Sequence, residues 1–453
     1  MTAAQAGGAA AAADLLEIDG TASLGGKVQV NMDVGDGPAA GAQSAGPFLT
    51  ATGGVTDEGL SVESTVAATY SLDWSTAGAV ALDYQLDFAS AGARAAARPG
   101  HAPVTRHLQT MYEAGSLSRE EGNALANIAD PDAYREAIAS LSGEIYADTQ
   151  NSALQSSLRF GDAMMSCAER SDAYRFIAEG QCSWMLVGGS RFSQEGSGSS
   201  MGFDETTFSL AGGLQADAGN DWHFGAAFSY ENRNMSKDGM MSSDGDMFQL
   251  GGVAKREFGP ALVAASLAVG YGRFDIERET FLGDTARGDQ DLWTLSGQIR
   301  GEYLLERGNL FAKPRLDLGV DVIRTGKVRE TGADGFNHEI DGATETYVNL
   351  QPAVEFGAEW QGTDGTLFRP TLMLGVTQFL GDGAPEVDSL FEDSPSGAPR
   401  ITASSQFDKL YGDVALGLQV LSAKGLSVDA GAFGSFSENT ERYGASLKVS
   451  IPF

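Results

Sequence analysis

Residues Gly198-Ser-Ser-Met-Gly202 match G-x-S-x-G, the pattern in which a serine nucleophile sits on a sharp turn between a strand and a helix. The chemistry would be acyl transfer, and it needs a histidine and a carboxylate that fold back onto the serine. The motif lies instead in a glycine- and serine-rich stretch between two strand-like segments. The sequence therefore indicates a connecting loop, and we predict no catalytic residue.

Metal binding is the second chemistry that the side chains suggest. The histidines lie in separate segments, with no i, i+4 pair and no H-E-x-x-H motif, so they do not indicate a zinc site. The acidic run Glu386–Asp393 offers ligands for a divalent cation, but we interpret it as a solvated outer loop. No G-x-x-x-x-G-K-[ST] motif is present, and we predict neither a metal nor a cofactor. The histidines are His101, His107, His223 and His338.

Cysteine chemistry is limited to two residues, Cys167 and Cys182. This number excludes a cysteine-rich scaffold and a zinc site with the usual four cysteine or histidine ligands. One disulfide remains possible.

Composition narrows the class of protein. The chain has 453 residues, with 61 Asp and Glu against 30 Lys and Arg, for a formal net charge of −31. A phosphate backbone needs a concentrated basic face, so nucleic acid is not an expected partner. A hydrophobic fraction of 42% with 9% aromatics predicts a folded chain, and 59 glycines favour many strands and tight turns.

Membrane crossing by a helix is excluded, because no stretch is apolar for the roughly 20 residues that a spanning helix needs. A membrane role would therefore require a barrel. The start, Met1 to Asp14, lacks the positive and leucine-rich regions of a secretory signal. Two interpretations follow: a cytosolic protein, or a native chain that begins upstream of Met1.

The first part of the chain changes character twice. Residues 1–98 contain alternating strands, most clearly Val80–Phe88, where every second residue is apolar. Residues 91–103 are rich in Ala, Gly, Arg and Pro and are typical of a linker. From 104 onward the period becomes helical, and the polar segment Tyr146–Arg170 is long enough, at about 37 Å, to pass through something as thick as a membrane.

Residues 182–453 contain twelve strand-like segments in which apolar and polar residues alternate. In Trp293–Tyr303, for example, the odd positions are apolar or glycine and the even positions are polar. A soluble sandwich and a membrane barrel both produce this pattern. The ionisable residues that the alternation gathers on the polar face include Arg300, Glu302, Arg315, Asp317, Glu355 and Glu359.

Connection length separates the two architectures. The sequence predicts connections that alternate between mostly about 12 to 30 residues and about 4 to 6 residues. An up-and-down barrel makes this alternation when one rim faces the outside and the other the periplasm, whereas a sandwich has no reason for it. An even strand number is also the rule for bacterial outer-membrane barrels. The sequence thus predicts a mainly β protein with a twelve-stranded antiparallel barrel.

Two motifs carry a resemblance to a known family. The last strand alternates apolar residues up to a terminal phenylalanine, and Leu141-Ser-Gly-Glu-Ile-Tyr-Ala147 precedes the polar helix. Together they resemble the translocator domain of classical, type Va, autotransporters. Further similarity lies in Gly212–Gln215 and in Trp222–Tyr230, while residues 14–90 resemble more loosely the last turns of a pertactin-like β-solenoid. The apolar positions of the last strand that resemble the family's assembly signal are Tyr443, Leu447, Val449, Ile451 and Phe453.

The resemblance implies an outer-membrane barrel, threaded by an α-helix, that exports its passenger to the cell surface. Expected partners are outer-membrane lipid, the barrel assembly machinery, periplasmic chaperones and the chain's own passenger segment. Arg159, Asp162 and Glu169 of the helix are expected to pair with charges on the barrel wall. Cys167 and Cys182 would join the end of the helix to the first strand near the oxidising periplasmic rim. The implied divisions are 1–98 for a passenger remnant with β-solenoid character, 99–145 for a linker and helical region, 146–181 for the lumen helix and 182–453 for the barrel.

Departures from the family pattern leave alternatives open. Family members that cleave themselves inside the barrel do so at paired asparagines, but Asn151 is followed by Ser152, so self-release is not expected. The passenger remnant is also short. The chain could alternatively be a stand-alone porin or adhesin barrel, or the membrane anchor of a surface hydrolase whose catalytic passenger lies upstream.

Overall fold

The sheet of the barrel runs through twelve antiparallel strands and closes on itself. Each strand pairs with its neighbours in sequence, and the first strand pairs with the last, from Cys182 opposite Pro452 to Gln194 opposite Thr440. The predicted twelve-stranded antiparallel barrel is therefore confirmed. Its strands are β1 Cys182–Gln194, β2 Phe203–Gly219, β3 Trp222–Lys237, β4 Met241–Phe258, β5 Ala261–Glu279, β6 Thr285–Tyr303, β7 Leu310–Thr325, β8 Thr344–Ala358, β9 Leu367–Leu380, β10 Leu410–Leu421, β11 Ser427–Phe436 and β12 Thr440–Pro452.

The structure is a computed structural model, and it describes the following residues: 3–5, 12–35, 41–169, 178–422 and 425–453, with the backbone alone for 3–5, 168–169, 178–179 and 452.

The two faces of the barrel follow the predicted alternation. On β6, Trp293 and Leu295 are 54% and 45% exposed on the outside, whereas Arg300 is 4% exposed in the interior. Aromatic pairs lie at two levels of the outer face, with Tyr271 against Trp293 at one level. Trp222 stacks on Phe224 at the other level. An apolar exterior bounded by two aromatic girdles is the surface that a bilayer requires of a barrel.

Connections at one rim are short, as predicted, but most of those at the other rim are shorter than expected. Only the connections 326–343 and 381–409 are long, while β3 and β4 are joined by residues 238–240 alone. The prediction of mostly long connections is wrong because the strands continue beyond the apolar band. Asp238 and Gly239 have φ of 49° and 71°, the positive values that a tight type I′ turn needs.

The N-terminal part contains short strands, several of which pair in parallel with strands about one solenoid turn away. Ala22–Val28 pairs with Val55–Val62, and Leu16–Ile18 pairs with Gln43–Ala51. Ala79–Leu86 then adds antiparallel to Gln43–Ala51 and buries its even, apolar positions, as its alternation predicts. The remaining strands of this part are Ala3–Gln5, Asn31–Asp33 and Ala68–Asp73.

The segment between these strands and the barrel is helical. The alanine-rich stretch is not a loosely packed linker, because Ala93 and Ala96 are buried, and their small side chains let the helix approach its neighbours closely. Asp130 caps the N-terminus of α4 through the amide of Asp132, with Pro131 in the first turn. The helices are α1 Ala91–Ala96, α2 Ala102–Ala114, α3 Arg119–Ala126, α4 Pro131–Ser140 and α5 Glu144–Met164.

The two long connections form a cap over one rim of the barrel, which we call the cap sheet. Its strands are Val328–Arg329, His338–Ile340, Glu386–Phe391 and Ile401–Ser404. Phe336, Phe391 and Ile401 share one apolar core with the N-terminal strands and helices α1–α4. The interpretation of Glu386–Asp393 as a solvated loop is thus wrong, because Val387, Ser389 and Phe391 alternate into the interior.

None of the helices in the described residues is long and apolar enough to cross a bilayer.

Candidate functional site

Helix α5 runs through the lumen from the capped rim to the short-turn rim. Its 21 residues span about 31 Å at 1.5 Å per residue. Gly143, the residue before α5, has no side chain that could cap the first turn of the helix. Most side chains of α5 are nevertheless buried. A helix rich in Ser, Gln, Asn and Asp is stable here because the barrel wall supplies hydrogen-bond partners along its length.

The upper part of α5 is held by a buried lysine. Lys237, near the end of β3, donates from Nζ to Asp148 Oδ2 at 2.6 Å and to the carbonyl of Met201 at 3.0 Å, and Glu144 lies 3.5 Å away. Glu144 in turn accepts the amide of Met201 at 3.1 Å. These groups connect the helix, the β1–β2 loop and the barrel wall in one network.

Asn151, which is followed by a serine and not by a second asparagine, has a structural role. Asn151 Nδ2 donates to Gln194 Oε1 at 3.3 Å, to Ser405 Oγ at 3.3 Å and to the carbonyl of Gln406 at 3.2 Å. It therefore joins α5 to β1 and to the end of the second long connection.

The middle of α5 faces carboxylates on β2 and β3. Ser152 donates to Glu205, and Ser156 Oγ donates to Glu231 Oε2 at 2.5 Å. Arg159 Nη2 donates to Glu231 Oε1 at 3.2 Å, and its Nη1 donates to Ser190 Oγ at 2.6 Å. The sequence predicts that Arg159 pairs with one of the named charges on the barrel wall. Its partner is instead Glu231, which is not one of them.

The lower part of α5 contacts the predicted arginines. Asp162 accepts from Arg300 and lies 3.7 Å from Arg315 Nη2. Arg300 also donates two hydrogen bonds to Asp317, from Nε to Oδ1 at 2.7 Å and from Nη2 to Oδ2 at 2.9 Å, and so forms a bidentate pair. Two parallel N–H···O bonds of this kind fix orientation as well as charge.

Among the residues that the structure describes, the other predicted charges of the barrel wall form no ion pair with α5. These are Glu302, Glu355 and Glu359. Lys313 lies 3.1 Å from Glu355 and 3.8 Å from Glu302. Glu359 accepts from Arg369 Nη2 at 2.8 Å.

Glu169 was expected on the lumen helix, but that helix ends at Met164, and Ala168–Glu169 forms a short strand with Ala178–Glu179. The side chain of Glu169 lies outside the part of the chain that the structure describes.

The end of α5 is tied to the short-turn rim. Lys255 Nζ donates to the carbonyl of Met165 at 2.9 Å, and Lys448 donates to that of Ser166. Immediately beyond, Cys167 and Cys182 form a disulfide with their Cα atoms 6.3 Å apart. The helix therefore leaves the lumen beside the first residue of β1.

A cavity of about 570 Å³ opens beside the lower half of α5. Its wall combines basic and acidic side chains of the helix and of strands on both sides of the barrel. The charged residues that line it are Arg159, Asp162, Glu231, Arg300, Glu302, Lys313, Arg315, Glu355, Arg369, Asp413, Asp429, Arg442 and Lys448. The helix thus leaves part of the lumen unfilled near the short-turn rim.

The apolar residues that resemble the family's assembly signal lie on the outer face of β12, except Phe453, which follows the strand. Tyr443, Leu447 and Val449 are exposed there, and Phe453 is exposed at the short-turn rim. The amide of Phe453 donates to the carbonyl of Gln181 at 3.4 Å. The strand's last residues therefore stay paired beside β1.

A buried ion pair joins the end of β5 to the cap. Arg278 donates from Nη2 to Glu330 Oε2 at 2.6 Å and to the carbonyl of Phe336 at 2.7 Å. Burial alone would raise the pKa of Glu330, but the Arg278 guanidinium and the amide of His338 help to outweigh it, so the pKa is lowered. Burial lowers the pKa of His338 from 6.5 to about 4.

The G-x-S-x-G motif lies in the connection between β1 and β2, as the sequence predicts. Ser200 lies in the loop 195–202, and its carbonyl accepts from Arg98 Nη1 at 2.8 Å. His107 and His338 contact the carbonyls of Pro399 and Leu141 at 2.7 Å and 3.1 Å. Among the described residues, no three His, Cys, Asp or Glu side chains are grouped as metal ligands.

Comparison with known proteins identifies the family. A model of the autotransporter β-domain matches residues 183–432, more than half of the chain. The chain belongs to the autotransporter family. This autotransporter chain therefore carries an outer-membrane translocator that exports a passenger segment to the cell surface. The translocator barrel of the family is not itself catalytic.

Solved structures resemble the chain in fold at low sequence identity. The translocator domain of the autotransporter NalP from Neisseria meningitidis matches with a TM-score of 0.56 and 14% identity, over 69% of this chain and 100% of that one. The β-domain of the Bordetella autotransporter Brka gives 0.45 and 17%, over 60% and 100%. The transport unit of AIDA-I from Escherichia coli gives 0.44 and 13%, over 63% and 95%. A search of curated proteins finds no match.

Proposed function

We propose that α5 remains in the lumen after export, where it tethers the passenger to the barrel and closes the pore. In this assignment residues 1–98 are a passenger remnant, 99–145 connect it to the helix, and 146–181 lead into the barrel of 182–453. The observation that carries the proposal is the continuous set of contacts along α5, from Lys237 at one end to Lys255 at the other.

The same contacts argue against a stand-alone porin. A porin needs an open, water-filled lumen. Here the upper half of α5 is buried against the wall, and the cap sheet covers the rim above it. We further propose that the whole chain acts as conduit and anchor and has no enzymatic activity of its own.

We propose that the outer face of β12 is read by the barrel assembly machinery, after periplasmic chaperones have kept the unfolded chain soluble. The apolar positions from Tyr443 to Phe453 are exposed on the side of the strand that faces lipid. An unfolded chain would present the same alternating strand, with an aromatic end, as one accessible segment.

Single-channel conductance in planar bilayers tests the plug. One variant lacks residues 104–178 and carries Cys182→Ser, and the matched control keeps the helix but carries Cys167→Ser and Cys182→Ser. We expect the deletion variant to show a stable conductance well above that of the control at the same salt concentration. Equal conductance in the two variants, with both barrels folded by gel mobility, would show that α5 does not close the pore.

A further inference from the structure

Three arginines of the lumen, one on α5 and two on the barrel wall, lie around two carboxylates. Arg159 of α5 lies 3.2 Å from Glu231, and Arg233 of β3 lies 3.4 Å from Glu231 and 3.5 Å from Glu205. Arg442 of β12 joins them through Gln155, whose Oε1 accepts from Nη1 at 3.0 Å. Arg442 and Glu205 both lie opposite Phe192 in the strand register, so the group occupies neighbouring strands.

The charges of this group do not balance. Three guanidinium groups face two carboxylates, which leaves one positive charge in excess. Arg442 and Arg233 are 94% and 98% buried, and within the described residues Arg442 has no carboxylate within ion-pair distance. A buried charge without a counter-charge is strongly unfavourable, so a site of this kind favours an additional anion.

Several N–H groups of the same side chains have no acceptor among the residues that the structure describes. They belong to residues on three elements, and two of the side chains, Arg442 and Gln155, line the cavity beside α5. Arg159 lines it as well, so side chains of the helix and of the barrel wall both contribute donors to this cavity. The groups without a hydrogen-bond acceptor are Gln155 Nε2, Arg159 Nε, Arg233 Nη1 and Arg442 Nη2.

Two other carboxylates of the lumen bind other groups. Asp413 lies two strands from Arg442, but it accepts from Thr377 Oγ1 at 2.7 Å and from Ser435 Oγ at 2.6 Å. Asp148 is bound to Lys237 and lies about three turns up the helix, roughly 16 Å from Arg159 along the axis. Neither supplies the missing negative charge to the arginine group.

We propose that this group is a binding site for one small oxyanion, such as phosphate or sulfate, which enters from the lumen cavity. Arg442 Nη2, Gln155 Nε2 and Arg159 Nε are the donors toward the anion. The planar guanidinium fork suits tetrahedral oxyanions through paired N–H···O bonds. The site depends on α5 lying in the lumen but goes beyond its role as tether and plug, because a plug needs no ligand.

The test uses the full chain refolded in detergent and titrated with inorganic phosphate at constant ionic strength. Thermal unfolding is followed by the loss of the folded band on gels, and affinity is measured by calorimetry. We expect the unfolding temperature to rise and saturate with phosphate, and Arg442→Gln to weaken binding at least tenfold. The matched control is Arg191→Gln, which removes an arginine of the outer face. No saturable binding to the unmodified chain, or equal binding by the two variants, would overturn the proposal.

A second variant keeps the proposal testable if Arg442→Gln does not fold. Gln155→Glu places a carboxylate beside Arg442 and so supplies the missing charge covalently. We expect this variant to unfold at a higher temperature than the unmodified chain in phosphate-free buffer, and to gain nothing from phosphate. A phosphate response equal to that of the unmodified chain would place the anion elsewhere. The conductance of the helix-deletion variant does not depend on these outcomes. If the proposal of an anion site fails, the proposal that α5 closes the pore is therefore unaffected.

Discussion

Acidification from pH 7 to pH 4 should loosen the cap, and His338 should be the main cause. The imidazole is fully buried, contacts Phe391 and lies against Leu141, and the charged or titratable groups that face it are Arg278, Glu330 and His107. Burial and the Arg278 guanidinium disfavour its charged form, and Glu330 offsets only part of this.

The magnitude follows from the two pKa values of His338. In the unfolded cap the pKa is 6.5, and in the folded cap it is about 4. Stability is therefore fully present above pH 6.5 and is lost as pH falls toward 4, because the unfolded cap takes up a proton that the folded cap rejects. The difference corresponds to about 3 kcal/mol. Glu330, whose pKa is lowered, acts in the same direction at still lower pH.

Hydrogen exchange of the barrel in lipid nanodiscs measures this effect. After correction for intrinsic rates, peptides from α4 and from 326–343 should lose protection by up to about a hundredfold between pH 7 and pH 4, which is the equivalent of about 3 kcal/mol. His338→Gln keeps a donor toward Leu141 but does not titrate, so most of this loss should disappear. His223→Gln, at the opposite rim, serves as the control. The same loss in His338→Gln as in the unmodified chain would refute the reasoning.

Three further results are expected. Arg300→Met should cost about 2–3 kcal/mol, because it removes the bidentate partner of the fully buried Asp317 and leaves only Arg315, 3.5 Å away, as its cation. Asp162→Asn, at a side chain 43% exposed, should cost nearer 1 kcal/mol; denaturant midpoints of the folded gel band would rank the two. Phe453→Ser should lower the amount of heat-modifiable barrel in outer-membrane fractions, because it removes the aromatic end of the last strand. Replacing Cys167 and Cys182 by serine should lower the free energy of unfolding by roughly 3 kcal/mol for a loop of this length. The variant should unfold at a lower temperature than the oxidised unmodified chain, and reductant should not lower that temperature further.

Matched variants sharpen these measurements. Phe436→Ser removes another exposed aromatic from the outer face, 44% exposed, but not from the end of the last strand. An equal loss of inserted barrel from both phenylalanine variants would remove the special role of the C-terminus. If Arg300→Met and Asp162→Asn unfold at the same denaturant concentration, the bidentate pair with Asp317 does not control stability.

The sequence predicts which face of a strand is polar, but it does not predict which charged residues form ion pairs with each other. The alternation places Arg300, Arg315 and Asp317 inside the barrel, and they are inside. The same alternation also places Glu231 inward next to Tyr230, so it could have been included among the wall charges. Its pairing with Arg159 depends on the rotation of α5 relative to strands some 70 residues away, which no local pattern encodes.

The cap could not be predicted for a related reason. Ala93 and Ala96 carry little apolar surface, so their composition suggests a linker, and only the neighbouring helices show that small side chains are needed there. The sequence predicts strands that are too short, because tight turns such as Asp238-Gly239 allow pairing to continue where polar residues suggest a loop.

The disulfide has a mechanical consequence for a protein that holds a load at the cell surface. Fifteen residue steps separate Cys167 from Cys182, enough to extend by about 50 Å, whereas α5 is about 31 Å long. Without the bond, the segment between the two cysteines is long enough for a steady pull on the passenger to draw the whole helix out of the pore. The bond removes that extra length, so the pull passes from the helix directly into the wall at β1, and the barrel resists it as a unit.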